Sequence, residues 1–191
     1  MVKKTTRKYF SELKKIIDKI SIKDIELIVN ILNNAYLNNK HIFILGNGGS
    51  AATASHFACD LGKGTLSSNN KKRFRVISIT DNVATMTAWS NDVNYAHVFS
   101  EQLKNLLDEE DVVIGISASG NSPNVINAIS LAKLCKAKTI SLTGFDGGEL
   151  AKIVDINILA KVKKYDLAED IHLIISHIIT RYFFKQLNVD S

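Results

Sequence analysis

A single proline, Pro123, punctuates 191 residues, and no Ser/Gly-rich stretch accompanies it, so nothing in the sequence marks a linker or a domain boundary. Two cysteines, Cys59 and Cys135, are too few and too far apart for a disulfide framework and suit reduced thiols in a cytoplasm. No apolar run approaches the length that spans a bilayer, and residues 1–6 lack the apolar core of a signal peptide, which sets the expectation of a cytoplasmic protein without a membrane partner. Low-complexity segments are missing as well. The formal net charge is +5, but lysine and arginine are dispersed except at residues 3–8 and 69–75, which argues against a nucleic-acid surface. What remains, 46% hydrophobic and 23% charged residues, describes a globular chain long enough for a substantial core.

Residues 8–40 carry Tyr9, Phe10, Leu13, Ile16, Ile17 and Ile20, then Ile25, Leu27, Ile28, Ile31, Leu32 and Tyr36, at helical spacing. Two amphipathic helices are expected, the second opened by Ser21 as N-cap with Asp24 in its first turn. Such a pair packs on the body or on another subunit, and oligomerisation is the preferred reading. From residue 41 the period changes. Stretches 41–45, 74–79, 111–116, 138–142 and 154–159 are short, β-branched and almost continuously apolar, as strands covered on both faces are. Helical segments at 50–62, 82–90, 96–107, 122–135 and 166–187 lie between or after them. Strand then helix, five times over, predicts an α/β fold: a three-layer α/β/α arrangement around a five-stranded parallel sheet. Ligands in such sheets bind beyond the carboxyl ends of the strands. Residues 67–72 form a polar insertion, expected as an exposed loop.

Two turns at those carboxyl ends have the composition of anion sites. Gly46-Asn47-Gly48-Gly49-Ser50-Ala51-Ala52 ends the first strand and opens an Ala-rich helix. Its glycines admit a ligand close to the backbone, and Ser50 adds a hydroxyl at the helix start, where serine also serves as an N-cap. Ser117-Ala118-Ser119-Gly120-Asn121-Ser122-Pro123-Asn124 follows the third strand, with Ser122 as N-cap before a proline at the first helical position. A cap does not need three hydroxyls, so the pair of turns points to a phosphorylated ligand held by Ser50, Ser117, Ser119 and Ser122.

These turns, together with Ser55-His56-Phe57-Ala58, Leu142-Thr143-Gly144 and Asp146-Gly147-Gly148, resemble the sugar-isomerase (SIS) domain, and within it the phosphoheptose isomerases. The resemblance covers nearly the whole chain and implies a single SIS domain over residues 1–191, flavodoxin-like in its sheet, with a helical pair at 1–40 for oligomerisation and an α/β body at 41–191. It implies interconversion of sedoheptulose 7-phosphate and a D-glycero-D-manno-heptose 7-phosphate-type aldose through an ene-diol, for surface-polysaccharide precursors, by a homotetramer using zinc. Carried over by position, it makes Asn47, Gly48, Gly49, Asp81, Asn82, Ser117, Ala118, Ser119 and Ser122 substrate contacts. It makes His56, Asp60, Glu169 and His177 the metal set, with Asp60 the base and His177 the acid or shuttle. Asp60 and Glu169 also face the substrate.

Spacing agrees in part. His56 and Asp60 are four apart, on one helix face, while Glu169 and His177 are eight apart, within about 80° around a helix. His and carboxylate together suit zinc. The sequence departs from the family pattern at Asp60, usually glutamate, at Glu169, usually glutamine, and at Asn82, usually aspartate. A carboxylate one methylene shorter retracts by about 1.5 Å, a displacement of the size that costs about a hundredfold in rate. Two other readings therefore stand beside the first: a non-catalytic sugar-phosphate sensor or adaptor of the kind that associates with a replication initiator, and an isomerase of another sugar phosphate. His172, three residues after Glu169, rivals His177 as ligand. His41 and His97 are expected to be structural or on the surface, Cys59 a small buried residue, and Phe74, Trp89, Tyr182, Phe183 and Phe184 in the core or at an interface.

Overall fold

The computed structural model of the chain describes residues 1–66 and 72–188. All but the last residue of the expected 67–72 loop lies outside them. In chain order the elements are α1 (Val2–Ile17), α2 (Ile22–Leu37), β1 (His41–Gly46), α3 (Gly49–Gly62), β2 (Arg75–Ser78), α4 (Val83–Asp92), a 3-10 turn (Tyr95–His97), α5 (Val98–Leu106), β3 (Val112–Ser117), α6 (Pro123–Leu134), β4 (Lys138–Thr143), α7 (Leu150–Ile153), β5 (Ile156–Leu159) and α8 (Tyr165–Leu187). The five strands are all parallel, in the order β2-β1-β3-β4-β5. The order reverses direction between β1 and β3, which leaves a crevice above their carboxyl ends.

Alternation along each strand sends side chains into two cores. Ile42 and Ile44 of β1, with Ile114 and Ile116 of β3, face α1, α2, α3 and α8. Phe43 and Leu45, with Val113, face α5, α6 and α7. Helix α8 reaches the first core through Ile171, Ile175, Ile179 and Phe183, one per turn, all at most 1% exposed. Truncating one such side chain to alanine costs roughly 2–5 kcal/mol. The Phe183 ring packs edge-on against Phe74, which in turn meets Tyr36. Trp89 packs against the second core, whereas Tyr182 and Phe184 stay about half exposed.

The expected α/β/α layering is present, with local differences. Helix α1 begins at Val2, six residues before the expected start, because its first turn carries lysines and threonines that show no apolar period. The crossover from β2 to β3 holds the two expected helices with a 3-10 turn between them, while β4 and β5, between which no helix was expected, are joined through the single turn of α7. Strand β2 is an edge strand, and Arg75 and Ile77 face outward, so its apolar run does not mean cover on both faces. Ser21 caps α2 as expected, accepting from the Asp24 N–H at 3.2 Å.

Polar contacts hold α1 to α8. The Tyr9 hydroxyl donates to Asp170 Oδ2 at 2.7 Å, and Lys164 at the N-cap of α8 reaches Glu12 at 2.6 Å. Burial, then the bond to Asp170, pushes the Tyr9 phenol up to about 12. Beyond these contacts α1 and α2 expose Phe10, Ile17, Ile22 and Leu27.

Candidate functional site

At the end of β1 the chain turns through Asn47 and Gly48, the latter at φ +55°, and enters α3 at Gly49. Gly48 is the N-cap. Ser50 is therefore not the cap expected from its type, because α3 starts one residue earlier; it lies in the first turn, 5% exposed, with its side chain turned inward. At the end of β3, Ser122 does cap α6 and Pro123 follows at the first position. The Ser122 hydroxyl is not spent on the helix but lies 3.1 Å from that of Ser117, and Ser119 Oγ accepts from the Asn121 N–H at 3.2 Å. Gly120, at φ +66°, brings this turn against the Gly147 carbonyl, where a side chain has no room.

Between the two turns lies a cavity of about 150 Å³ lined by Asn47, Ser50, Ser117, Ser119, Ser122 and Glu169, with Ile116, Ala118 and Tyr165 completing it. None of these nine residues is basic, so an anion here would be met by hydroxyls, amides and the N-terminal dipoles of α3 and α6. Larger hollows exist among the described residues: open depressions of about 520 Å³ beside Lys133 and Lys152 and about 350 Å³ beside Val93, His97 and Leu134, and hollows of about 300 Å³ against α2 and about 240 Å³ against α1, away from the two turns. The smaller cavity is the candidate site because its polar groups converge at the strand ends.

Helices α3 and α8 pack side by side, and their contacts run in parallel register. Gly49 meets Glu169; seven and eight residues further on, His56 meets His177. At 1.5 Å per residue the two contacts are about 11 Å apart along one seam. At the second level His56 Nε2 lies 2.9 Å from His177 Nε2 and 3.1 Å from Asp60 Oδ2, and His177 Nε2 lies 3.7 Å from Asp60 Oδ2. Zinc bound tetrahedrally at 2.0–2.1 Å has ligand atoms about 3.3 Å apart. The three separations straddle that value, two imidazoles and a carboxylate are a zinc-type donor set, and the side chains are 33–48% exposed, which leaves the remaining face open. Without a metal, one ring donates its Nε2–H to the other.

The structure thus brings together His56, Asp60 and His177, and places Glu169 apart from them, over Gly49 and in the cavity wall. His172 is excluded from the cluster. It is wholly buried in the first core, with neither ring nitrogen in hydrogen-bond geometry. Burial pushes its pKa down to about 4, opposed by the nearby Thr143 backbone, which does not reach hydrogen-bond geometry.

Asp81 and Asn82 follow β2, outside the cavity. Asp81 Oδ1 accepts from Ser55, from Ser78 at 2.9 Å and from Thr80 at 3.1 Å. Asn82 caps α4, accepting from the Thr85 N–H at 3.0 Å. His41 takes the structural role expected of it: its Nδ1 lies 3.7 Å from Asp111, a buried carboxylate that accepts the backbone N–H of His41 and Asp108. That cluster staples β1 to β3 at the end of the sheet away from the site. His97 lies near the Ser100 hydroxyl. Cys59 is exposed and not buried as expected, because the Ala-rich α3 gives little apolar contrast from which to assign its faces. Sequence reasoning missed Tyr165, whose only signal is its position one turn before Glu169, and also Asn124 and Tyr95, both bonded to Asn47.

A family model described as the SIS domain matches residues 8–144. The phosphoheptose isomerase of Aliarcobacter butzleri is 38% identical over 151 residues, 79% of each chain. That of Syntrophotalea carbinolica is 34% identical over 186 residues, 96% of this chain and 94% of the relative. The solved structure of phosphoheptose isomerase from Neisseria gonorrhoeae is similar with a TM-score of 0.88 and 28% identity, covering 96% of this chain and 98% of that one. With its doubly wound parallel sheet and its match to both the family model and these near full-length relatives, the chain belongs to the SIS-domain family of phosphoheptose isomerases.

Proposed function

We propose that the chain is an aldose–ketose isomerase that interconverts sedoheptulose 7-phosphate and a D-glycero-D-manno-heptose 7-phosphate-type aldose through an ene-diol, in the supply of surface-polysaccharide precursors. The observation that carries this reading is the two-level α3–α8 seam: a hydroxyl-lined cavity at one level and the His56–Asp60–His177 cluster at the other. The phosphate is held by Ser50, Ser117, Ser119 and Ser122, with Asn47, Gly48, Gly49 and Ala118 beside them, and the sugar chain runs along the seam.

The reaction needs a base, an acid and stabilisation of a developing oxyanion. Asp60 takes a proton from C1 of the ketose, the C–H electron pair becomes the C1–C2 double bond, and the C2 carbonyl pair moves onto the C2 oxygen, which His177 protonates. His177 then takes the proton of the C1 hydroxyl, whose O–H pair closes the C1 carbonyl, and the C1–C2 pair takes the proton back from Asp60 at C2, which gives the aldose. Asp60 Oδ2 faces both imidazoles, so its other oxygen is assigned to the substrate. His56, Asp60 and His177 would hold zinc, which would supply Lewis-acid polarisation of the carbonyl and hydroxyl oxygens, while Glu169, expected in the metal set, stands at the other level of the seam in the cavity wall. Asp81 and Asn82 are assigned as a further pair of substrate contacts.

The same reading takes residues 1–191 as one SIS-domain unit acting in the cytoplasm as a homotetramer. Exposed Phe10, Ile17, Ile22 and Leu27 on α1 and α2 support the assembly, and both cysteines are free. Among the described residues no helix is long and apolar enough to cross a membrane. The activity is tested by incubating zinc-loaded protein with sedoheptulose 7-phosphate in deuterated water and following the aldose by NMR. Aldose formation supports the assignment, and unchanged ketose overturns it. Light scattering at four chain masses tests the assembly.

A further inference from the structure

Asn47, at the turn between β1 and α3, is gripped by two residues remote in sequence. Its carboxamide and that of Asn124 exchange hydrogen bonds in both directions: Asn47 Nδ2 donates to Asn124 Oδ1, and Asn124 Nδ2 donates to Asn47 Oδ1, each at 2.9 Å. The Tyr95 hydroxyl donates to the same Asn47 Oδ1 at 2.7 Å. Asn124 stands in the first turn of α6 and is 2% exposed, while Tyr95 opens the 3-10 turn of the β2–β3 crossover and is 52% exposed. Three separate segments therefore meet on one side chain.

A carboxamide offers two acceptor sites and two N–H donors. At Asn47 both acceptor sites and one donor are used, which leaves one Nδ2–H. Asn47 lines the cavity with Ser50, Ser117, Ser119, Ser122 and Glu169. We propose that Tyr95 and Asn124 are positioning residues for this site, holding the Asn47 carboxamide in one rotamer and one polarity so that it meets a bound sugar phosphate as an N–H donor to a ligand oxygen. The inference rests on the isomerase reading above for the identity of that ligand. It gives Tyr95 a role that does not require it to touch the sugar: withdrawing the hydroxyl frees an Oδ1 lone pair and lets the amide turn. Asn124 supplies the reciprocal lock from a buried position, where an amide lacking its partner is disfavoured.

The test is a double-mutant cycle on kcat/KM for sedoheptulose 7-phosphate, using Tyr95→Phe, Asn47→Ala and the double variant. Tyr95→Phe is expected to lose about tenfold, the scale of one hydrogen bond, with its thermal midpoint unchanged. In the Asn47→Ala background the same change is expected to cost less than about twofold, because its effect passes through Asn47. An undiminished tenfold loss in that background overturns the proposal. Asn124→Ala enters the same cycle if it folds; if it does not, the Tyr95 arm decides. Asn47→Asp, which keeps the acceptors and removes the donor, is expected to lose binding, and retained affinity overturns the donor assignment. A readout independent of turnover is solvent exchange at the Asn47 side-chain amide, followed by 15N NMR. One protected and one exchanging Nδ2 proton are expected, and two equally exposed protons overturn the positioning. Absent turnover with that protection in place overturns only the isomerase reading.

Discussion

The Glu169 carboxylate occupies the space in which a side chain on Gly49 would stand: a Cβ built there would come within 2.6 Å of Oε1 and closer still to Oε2. Glycine at the first position of α3 lets a carboxylate of α8 rest on the positive end of another helix, where it is stabilised. The same contact sets a negative charge in the wall of a cavity whose other polar groups are hydroxyls and an amide.

For that reason Glu169→Gln is expected to tighten sugar-phosphate binding. One unit charge a few ångström from a phosphate, at an effective dielectric near 20, amounts to a few kcal/mol before screening, and about tenfold in KM at neutral pH remains after it. Steady-state kinetics at low and high salt check this, the effect shrinking as salt rises. An unchanged or raised KM would show that Glu169 does not oppose the phosphate.

The His56–Asp60–His177 cluster predicts one zinc per chain. His177→Ala or His56→Ala should lose most of the bound metal, by about 10- to 100-fold in affinity or more, since each removes one of three clustered donors. Metal analysis of the purified variants decides, with His172→Leu as comparison. Loss of zinc in the His172 variant alone would transfer the ligand role to that residue.

His172 makes acid sensitivity a local property. Its ring, neutral and buried, has its pKa pushed down to about 4 by burial, against 6.5 in the unfolded chain. Between those values the unfolded state binds the proton and the folded state does not, so stability is intact above pH 6.5 and falls progressively as pH drops toward 4. The loss is on the order of 3 kcal/mol. His172→Leu should flatten this part of the profile, measured by urea unfolding at pH 7 and pH 4.5. Equal losses in variant and parent would place the acid sensitivity elsewhere.

Tyr9→Phe is expected to cost about 1 kcal/mol, one part-buried hydrogen bond to a carboxylate, and to expose the amides of α1 to hydrogen exchange before those of α8. Unchanged exchange in α1 would mean that apolar packing through Ile16 holds the helix without this bond.

Much of this was legible in the sequence because the signals were local. Residues 41–45 and 111–116 are β-branched runs bounded by turns, and they became the central strands. The Ser122-Pro123 pair marked the start of α6, and the four-residue interval between His56 and Asp60 placed both on one face. Signals that depend on three-dimensional approach were not legible. The cap of α3 is Gly48, which has no side chain to announce itself, so the cap was read at Ser50, two positions too late. The α3 faces carry too little apolar contrast to show Cys59 as exposed. Tyr95 and Asn124 reach Asn47 across 48 and 77 residues, and no spacing rule connects them.

The central claim is isomerisation at the α3–α8 seam with Asp60 as base, and its most direct measurement is turnover of sedoheptulose 7-phosphate by zinc-loaded parent protein beside Asp60→Asn. The account predicts aldose formation by the parent and loss of roughly a hundredfold or more in the variant, with assembly and thermal midpoint retained. Near-parental turnover by Asp60→Asn would remove Asp60 from the mechanism, and absence of turnover by the zinc-loaded parent would contradict the account as a whole.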